Sequence, residues 1–178
     1  MRHAESERNL ERERIEKENS NELTLSIKKR DPDIELTSKG IEQAAATGKA
    51  LKEKFGSFDI AFVSPFKRTR QTAEIILDNM KCNCDYRIEE RLREKEMGIL
   101  DMYTKKGIKE KFPDEYERKQ REGKYYYRPP GGESYADVGL RLYSFIGSMM
   151  RSGSGKNCLV VAHSVVVKMF RKNIEKML

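Results

Sequence analysis

Two short apolar runs constrain the fold of this 178-residue chain more than any other feature: Asp59–Val63 (DIAFV) and Cys158–Ala162 (CLVVA). Each is continuous rather than alternating, has the length of a strand, and stops at a polar residue, Ser64 or His163. Continuous apolar strands need cover on both faces, which parallel sheets obtain from helices. The covering helices are legible. Thr37 caps one with apolar positions at Ile41, Ala44, Ala45, Gly48, Leu51 and Phe55, and Gly56 ends it. A second is predicted over Thr69–Leu77. Ser134 caps a third with Val138, Leu142, Phe145, Ile146 and Met149 on one side. A last helix begins near Val165. A further short strand is expected around Tyr86–Ile88, and a polar helix over Glu110–Glu122, broken at Phe112-Pro113. Asp31-Pro32-Asp33, Arg128–Gly132 and Ser152–Gly155 read as turns or loops between these elements. The alternation predicts one α/β domain over 1–178: a three-layer α/β/α architecture with a mostly parallel central sheet.

Charge separates the possible partners. Lys and Arg number 36 against 29 Asp and Glu, a net +7. Much of this lies in mixed-sign runs such as Glu11-Arg12-Glu13-Arg14, which are solvated helix faces rather than a basic stripe. No nucleic-acid recognition motif accompanies it, so nucleic acid is not the expected partner. No apolar run is long enough to span a bilayer, and no membrane partner is expected. The three cysteines, Cys82, Cys84 and Cys158, have no disulfide-framework or metal-site spacing. They read as reduced thiols, and the expected compartment is the cytoplasm. Glu5–Lys29 is almost wholly polar, which predicts a charged helix followed by a mobile or lid-like stretch, an insertion over about 7–30. The sequence sets no oligomeric state.

Only two histidines occur, His3 and His163. Ligands of parallel α/β sheets bind beyond the carboxyl ends of the strands, where Ser64-Pro65 and His163 fall. If an apolar strand precedes Arg2, His3 falls there too. Arg2-His3, Ser64–Arg68 and His163-Ser164 are then three junctions at helix N-termini, where free amides and the helix dipole favour an anion. Arg2 and Arg68 add guanidinium forks that match phosphate oxygens. Two imidazoles, two arginines and an acid are what phosphoryl transfer through a phosphohistidine requires.

Six ordered blocks carry a resemblance: RHAES from Arg2, LTSKGIEQA from Leu36, SPFKRTRQTA from Ser64, RLREKEMG from Arg91, PGGES from Pro130 and VVAHS from Val160. Together they resemble the histidine phosphatase superfamily, also called phosphoglycerate-mutase-like, over nearly the whole chain. The resemblance implies that His3 is the phosphorylated nucleophile and that Arg2, Arg68 and His163 form the phosphate pocket. It implies that Glu94 protonates the leaving oxygen and then activates water. Ser6, Asn9 and Ser164 would line the substrate side. It implies a small phosphorylated substrate, no cofactor and no metal.

Departures from the family pattern refine the expectation. Ala4 and Ser164 replace common glycines, and the stretch from Asn9 to Leu36 is longer and more charged than in many relatives. Met97 stands where mutases carry a tyrosine. The interval from Glu94 to His163 is short, and a double-arginine signature is not evident there, although Arg118 and Arg121 could partly substitute. The expected activity is therefore phosphomonoester hydrolysis, with phosphoglycerate mutase as the alternative. A catalytically weak module that binds a phospho-ligand or an acidic partner is the second alternative. The family's first, central strand has no counterpart before Arg2, and relatives continue past the last helix. The expectation is that these residues are a portion of a longer protein, trimmed at both ends, with Met1 internal.

Overall fold

In the computed structural model, which describes residues 1–175, three parallel strands form the central sheet: β1 (Ile60–Val63), β2 (Asp85–Ile88) and β3 (Cys158–Val161). Their order is β2-β1-β3, with Ile60 paired to Asp85 on one side and to Cys158 on the other. Beyond β3 the chain start adds a single parallel bridge. The Ala162 amide donates to the Met1 carbonyl at 2.9 Å, and the His3 amide donates to the Ala162 carbonyl at 3.0 Å. This bridge puts His3 level with the carboxyl end of β3.

Among the described residues, seven α-helices surround the sheet: α1 (Glu7–Lys17), α2 (Ser38–Phe55), α3 (Lys67–Met80), α4 (Lys105–Lys111), α5 (Pro113–Tyr126), α6 (Tyr135–Gly153) and α7 (Ser164–Glu175). Side chains alternate across β1 and so build two cores. Ala61 and Val63 join Ala44 of α2 and Ala73, Ile76, Leu77 and Met80 of α3 on one face. Ile60 and Phe62 join Val138, Leu142 and Phe145 of α6 and Val166 and Met169 of α7 on the other. Fully burying such a side chain contributes about 1.5–3 kcal/mol, so α3 and α6 hold the sheet far more strongly than their intrinsic propensities do. This is the expected three-layer, mostly parallel arrangement.

Capping chemistry sets the helix ends. Thr37 and Ser134 accept hydrogen bonds from Gly40 and Asp137, and Gly56 closes α2 with φ 73°. Ser6 and Asn9 form a reciprocal capping box at the start of α1. Two sequence expectations are corrected on α2. Ile41 and Phe55 are 46% and 51% exposed, because the buried contact narrows to the small residues Gly40, Ala44 and Gly48. A Cβ at Gly40 would stand 2.0 Å from the Glu5 carbonyl oxygen, and one at Gly48 would stand 2.7 Å from the Ile76 carbonyl oxygen. Close helix approach turns the larger residues outward.

The segment after α1 lies along the chain that leads into α4. The Leu25 amide donates to the Met102 carbonyl at 2.8 Å, Thr24 bridges Tyr103, and Leu25 is buried. Asp31–Asp33 forms one 3-10 turn. Among the described residues, no helix is long and apolar enough to cross a membrane.

Candidate active site

All three junctions meet at one pocket of about 150 Å³ at the carboxyl edge of the sheet. Arg2, His3, Ser6, Asn9, Arg68, Glu94 and Ser164 line it, so seven of the eight expected site residues share one wall system. His163 does not line it. It is fully buried behind His3, with the two rings edge to face at 5.3 Å.

His3 Nδ1 lies 2.7 Å from the Ala4 carbonyl oxygen. A carbonyl can only accept, so Nδ1 carries the proton and the lone pair resides on Nε2. Burial pushes the imidazolium form down, Arg68 and Arg2 push it further, and the pKa falls to about 4. His3 is therefore a neutral base with its basic nitrogen defined. His163 Nε2 is 2.7 Å from Ser64 Oγ, and its Nδ1 is buried without a hydrogen-bond partner. Its pKa lies well below the ordinary value, first through burial and then through Arg68 and His3. A buried polar atom left without a partner is costly.

Arg68 is buried at the first turn of α3, and its guanidinium stacks on Phe66 with 4.9 Å to the ring centroid. It donates to the Asp31 carbonyl at 2.6 Å and pairs with the Asp31 carboxylate at 3.2 Å. The same carboxylate pairs with Arg8 at 2.5 Å, and Arg8 reaches Asp101 at 2.5 Å with its other nitrogen. Burial alone would raise the Asp31 carboxyl, but Arg68 and Arg8 hold it below the usual carboxylate range.

Glu94 faces the pocket from the loop after β2. Burial raises its pKa, and hydrogen bonds from the Lys95 and Val165 amides offset only part of that rise. The loop is braced from behind. Gly98 has φ 54°, and a Cβ there would stand 2.0 Å from the Pro130 carbonyl oxygen. The Ile99 amide donates to that same oxygen at 3.1 Å, and the Glu133 amide donates to Glu96 at 3.0 Å. The Pro130–Ser134 block thus supports the Glu94 loop instead of entering the pocket.

Sequence reasoning missed Arg8, Arg12, Asp31, Lys95 and Asp101 as pocket residues. A signal existed for two of them. With Ser6 as cap, positions 8, 9 and 12 share one face of α1, the face that carries Asn9. Nothing in the sequence tied Asp31 to Arg68. Among the described residues, no group of three His, Cys, Asp or Glu side chains is placed to hold a metal ion.

Comparison with known proteins gives the family and the fold. Residues 1–177 match the family described as the histidine phosphatase superfamily (branch 1). A relative from Allorhizobium ampelinum named 2,3-bisphosphoglycerate-dependent phosphoglycerate mutase is 37% identical over 137 residues, covering 75% of this chain and 64% of its own length. The chain thus spans less than two-thirds of that relative. In fold it resembles the alpha-ribazole phosphatase of Shigella flexneri, with TM-score 0.78, 21% identity, and coverage of 100% of this chain and 79% of that one. It also resembles a mycobacterial glucosyl-3-phosphoglycerate phosphatase, with TM-score 0.75, 23% identity, and coverage of 99% and 78%.

Proposed function

Because the chain belongs to the histidine phosphatase superfamily, we propose that it hydrolyses small phosphomonoesters through a phosphohistidine formed on His3. The observation that carries this reading is the fixed tautomer of His3, whose Nδ1 is committed to the Ala4 carbonyl. Nε2 attacks phosphorus in line, and the bond from phosphorus to the ester oxygen breaks. Glu94, whose carboxyl is raised toward the neutral form by burial, gives its proton to the departing alkoxide. Arg2 and Arg68 carry the charge on the equatorial oxygens, and His163 Nδ1 donates to one of them. In the second half-reaction the Glu94 carboxylate takes a proton from water. That water attacks phosphorus, the electrons of the N–P bond return to Nε2, and phosphate leaves with Glu94 reprotonated. Ser6, Asn9 and Ser164 orient the substrate from the amino-terminal ends of α1 and α7.

Phosphoglycerate mutase is the second reading, favoured by the name of the A. ampelinum relative. A mutase must return the phosphoryl group to its own intermediate and exclude water while it does so. Met97 at the pocket wall, in place of a hydroxyl-bearing residue, favours hydrolysis. The test compares phosphate release from p-nitrophenyl phosphate by the protein and by His3→Ala, beside interconversion of phosphoglycerates primed with 2,3-bisphosphoglycerate. Release that is lost in the variant is the expected result. Sustained interconversion without release would establish the mutase instead. Equal, slow release by both proteins would leave only a binding role.

A further inference from the structure

One hydroxyl at the carboxyl edge of the sheet has a single place to send its proton. Ser64 follows β1 and is fully buried, and its amide donates to the Val161 carbonyl at 3.1 Å. Its own carbonyl accepts from Thr69 Oγ1 at 3.0 Å, so the backbone that aims the side chain is held on both sides. Ser64 Oγ lies 2.7 Å from His163 Nε2, and among the described residues it makes no other hydrogen bond. His163 is equally confined. The rings of His3 and Phe66 pack against it edge to face, with centroids at 5.3 and 4.9 Å.

Proton accounting decides which way this bond runs. Burial, and then Arg68, disfavour the imidazolium, so His163 is neutral and carries one N–H. Were that proton on Nε2, Ser64 Oγ would accept it and the hydroxyl proton would have no acceptor. The Nδ1 lone pair would be left unpaired as well, and each such buried group is costly. With the proton on Nδ1, Ser64 donates to Nε2 and both of those groups are satisfied. The Nδ1 N–H is then the one group of the pair left without a partner.

We infer that Ser64 is a positioning residue: by donating to His163 Nε2 it fixes the tautomer in which Nδ1 is the donor. This rests on the phosphomonoester reading, in which that N–H meets an equatorial oxygen of the phosphoryl group, and it explains why the proton is there. A phosphoryl oxygen only accepts, so the opposite tautomer would meet it with a lone pair. Ser64 does not line the pocket and acts through the imidazole alone. The two histidines are thus set in opposite senses. A backbone carbonyl commits His3 Nδ1 as a donor and leaves Nε2 to attack, whereas a hydroxyl commits His163 Nε2 as an acceptor and leaves Nδ1 to donate.

Because the chain has only two histidines, nitrogen NMR of protein labelled at histidine reads both tautomers, and His3→Ala identifies the His163 signals. In the native protein His163 Nδ1 should bear the proton and Nε2 should be the pyridine-type nitrogen. Ser64→Ala should remove that bias and shift Nδ1 toward the unprotonated type, while Ser64→Thr, which keeps the hydroxyl, should preserve it. Inhibition by inorganic phosphate should weaken about tenfold in Ser64→Ala, the scale of one hydrogen bond to a charged group, and return in Ser64→Thr. A proton on Nε2 in the native protein overturns the assignment without any variant. A His163 tautomer left unchanged by Ser64→Ala overturns it too, and in both cases hydrolysis through His3 stands. If the native protein releases phosphate from p-nitrophenyl phosphate no faster than His3→Ala does, the hydrolytic reading fails instead, and the native spectrum still decides the tautomer.

Discussion

The Asp31 carboxylate lies 3.2 Å from the Arg68 guanidinium, and the Asp31 carbonyl accepts a 2.6 Å hydrogen bond from the same group. An internal carboxylate therefore rests on the arginine assigned to the incoming phosphoryl group. The two contacts act differently. The carbonyl holds Arg68 in place whatever the side chain is, whereas the carboxylate lowers the positive potential that a phosphate would meet.

Asp31→Asn separates these effects, because it keeps the carbonyl, the size and an acceptor oxygen while removing the charge. One unit charge at roughly 6 Å in an effective dielectric of about 20 to 40 changes the field by about 1–3 kcal/mol. Inorganic phosphate should consequently inhibit the variant about tenfold more strongly than the native protein. Weaker inhibition would mean that the carboxylate serves to position Arg68. Stability should move the other way, because Arg8 and Arg68 are left buried without their shared counter-ion. A loss of about 3 kcal/mol in a denaturant melt is expected.

The pH dependence follows from two displaced pKa values of opposite role. His3 must be neutral to attack, and its pKa is lowered to about 4, so kcat/KM rises as pH increases through that value. Glu94 must be protonated to assist the leaving group, and its pKa is raised above the ordinary carboxyl value. Activity on alkyl phosphates therefore falls as pH rises through that displaced value, giving an optimum on the acid side. Glu94→Gln should lower kcat on alkyl phosphates by about 10²–10⁴-fold and remove the alkaline limb. An alkaline limb that survives in Glu94→Gln would assign the acid to another group.

Gly98 links fold to chemistry. With φ 54° and the Pro130 carbonyl oxygen 2.0 Å from where a Cβ would stand, Gly98→Ala must move the loop that carries Glu94. Gly155 has φ 72° but open space around it, so Gly155→Ala meets backbone strain alone. Strain at such a φ costs about 1–3 kcal/mol. Gly98→Ala should lose clearly more than Gly155→Ala in denaturant midpoint, and should lower kcat more than it changes KM. Equal midpoints in the two variants would contradict the tight contact between the two loops.

Much of this site was legible because its parts sit at element ends, where residue types are restricted. Thr37, Ser134 and Gly56 fall at helix termini that only capping and left-handed residues fill well, and they were read correctly from the sequence. The continuous apolar runs gave β1 and β3 for the same reason, since no solvated element tolerates them. The convergence of Arg68 and Ser164, and of Arg2 and His3 if a strand precedes them, was legible from parallel topology, whereas Glu94 was reached only through the family resemblance. The exposure of Ile41 and Phe55 was not legible, because it depends on how closely α2 approaches α3. The Arg8–Asp31–Arg68 arrangement was also hidden. Charges that pair across 23 or 37 positions look like any others in a chain so rich in them.

The central claim, that phosphoryl transfer passes through His3, is tested most directly by rapid acid-free quenching of a single turnover with 32P-labelled substrate, followed by peptide mapping. The account predicts a base-stable, acid-labile phosphoryl group on the His3 peptide. It should form within the first turnover, be absent in His3→Ala, and accumulate in Glu94→Gln supplied with an aryl phosphate. Label on His163 or on no residue, with turnover proceeding at the native rate, would contradict it.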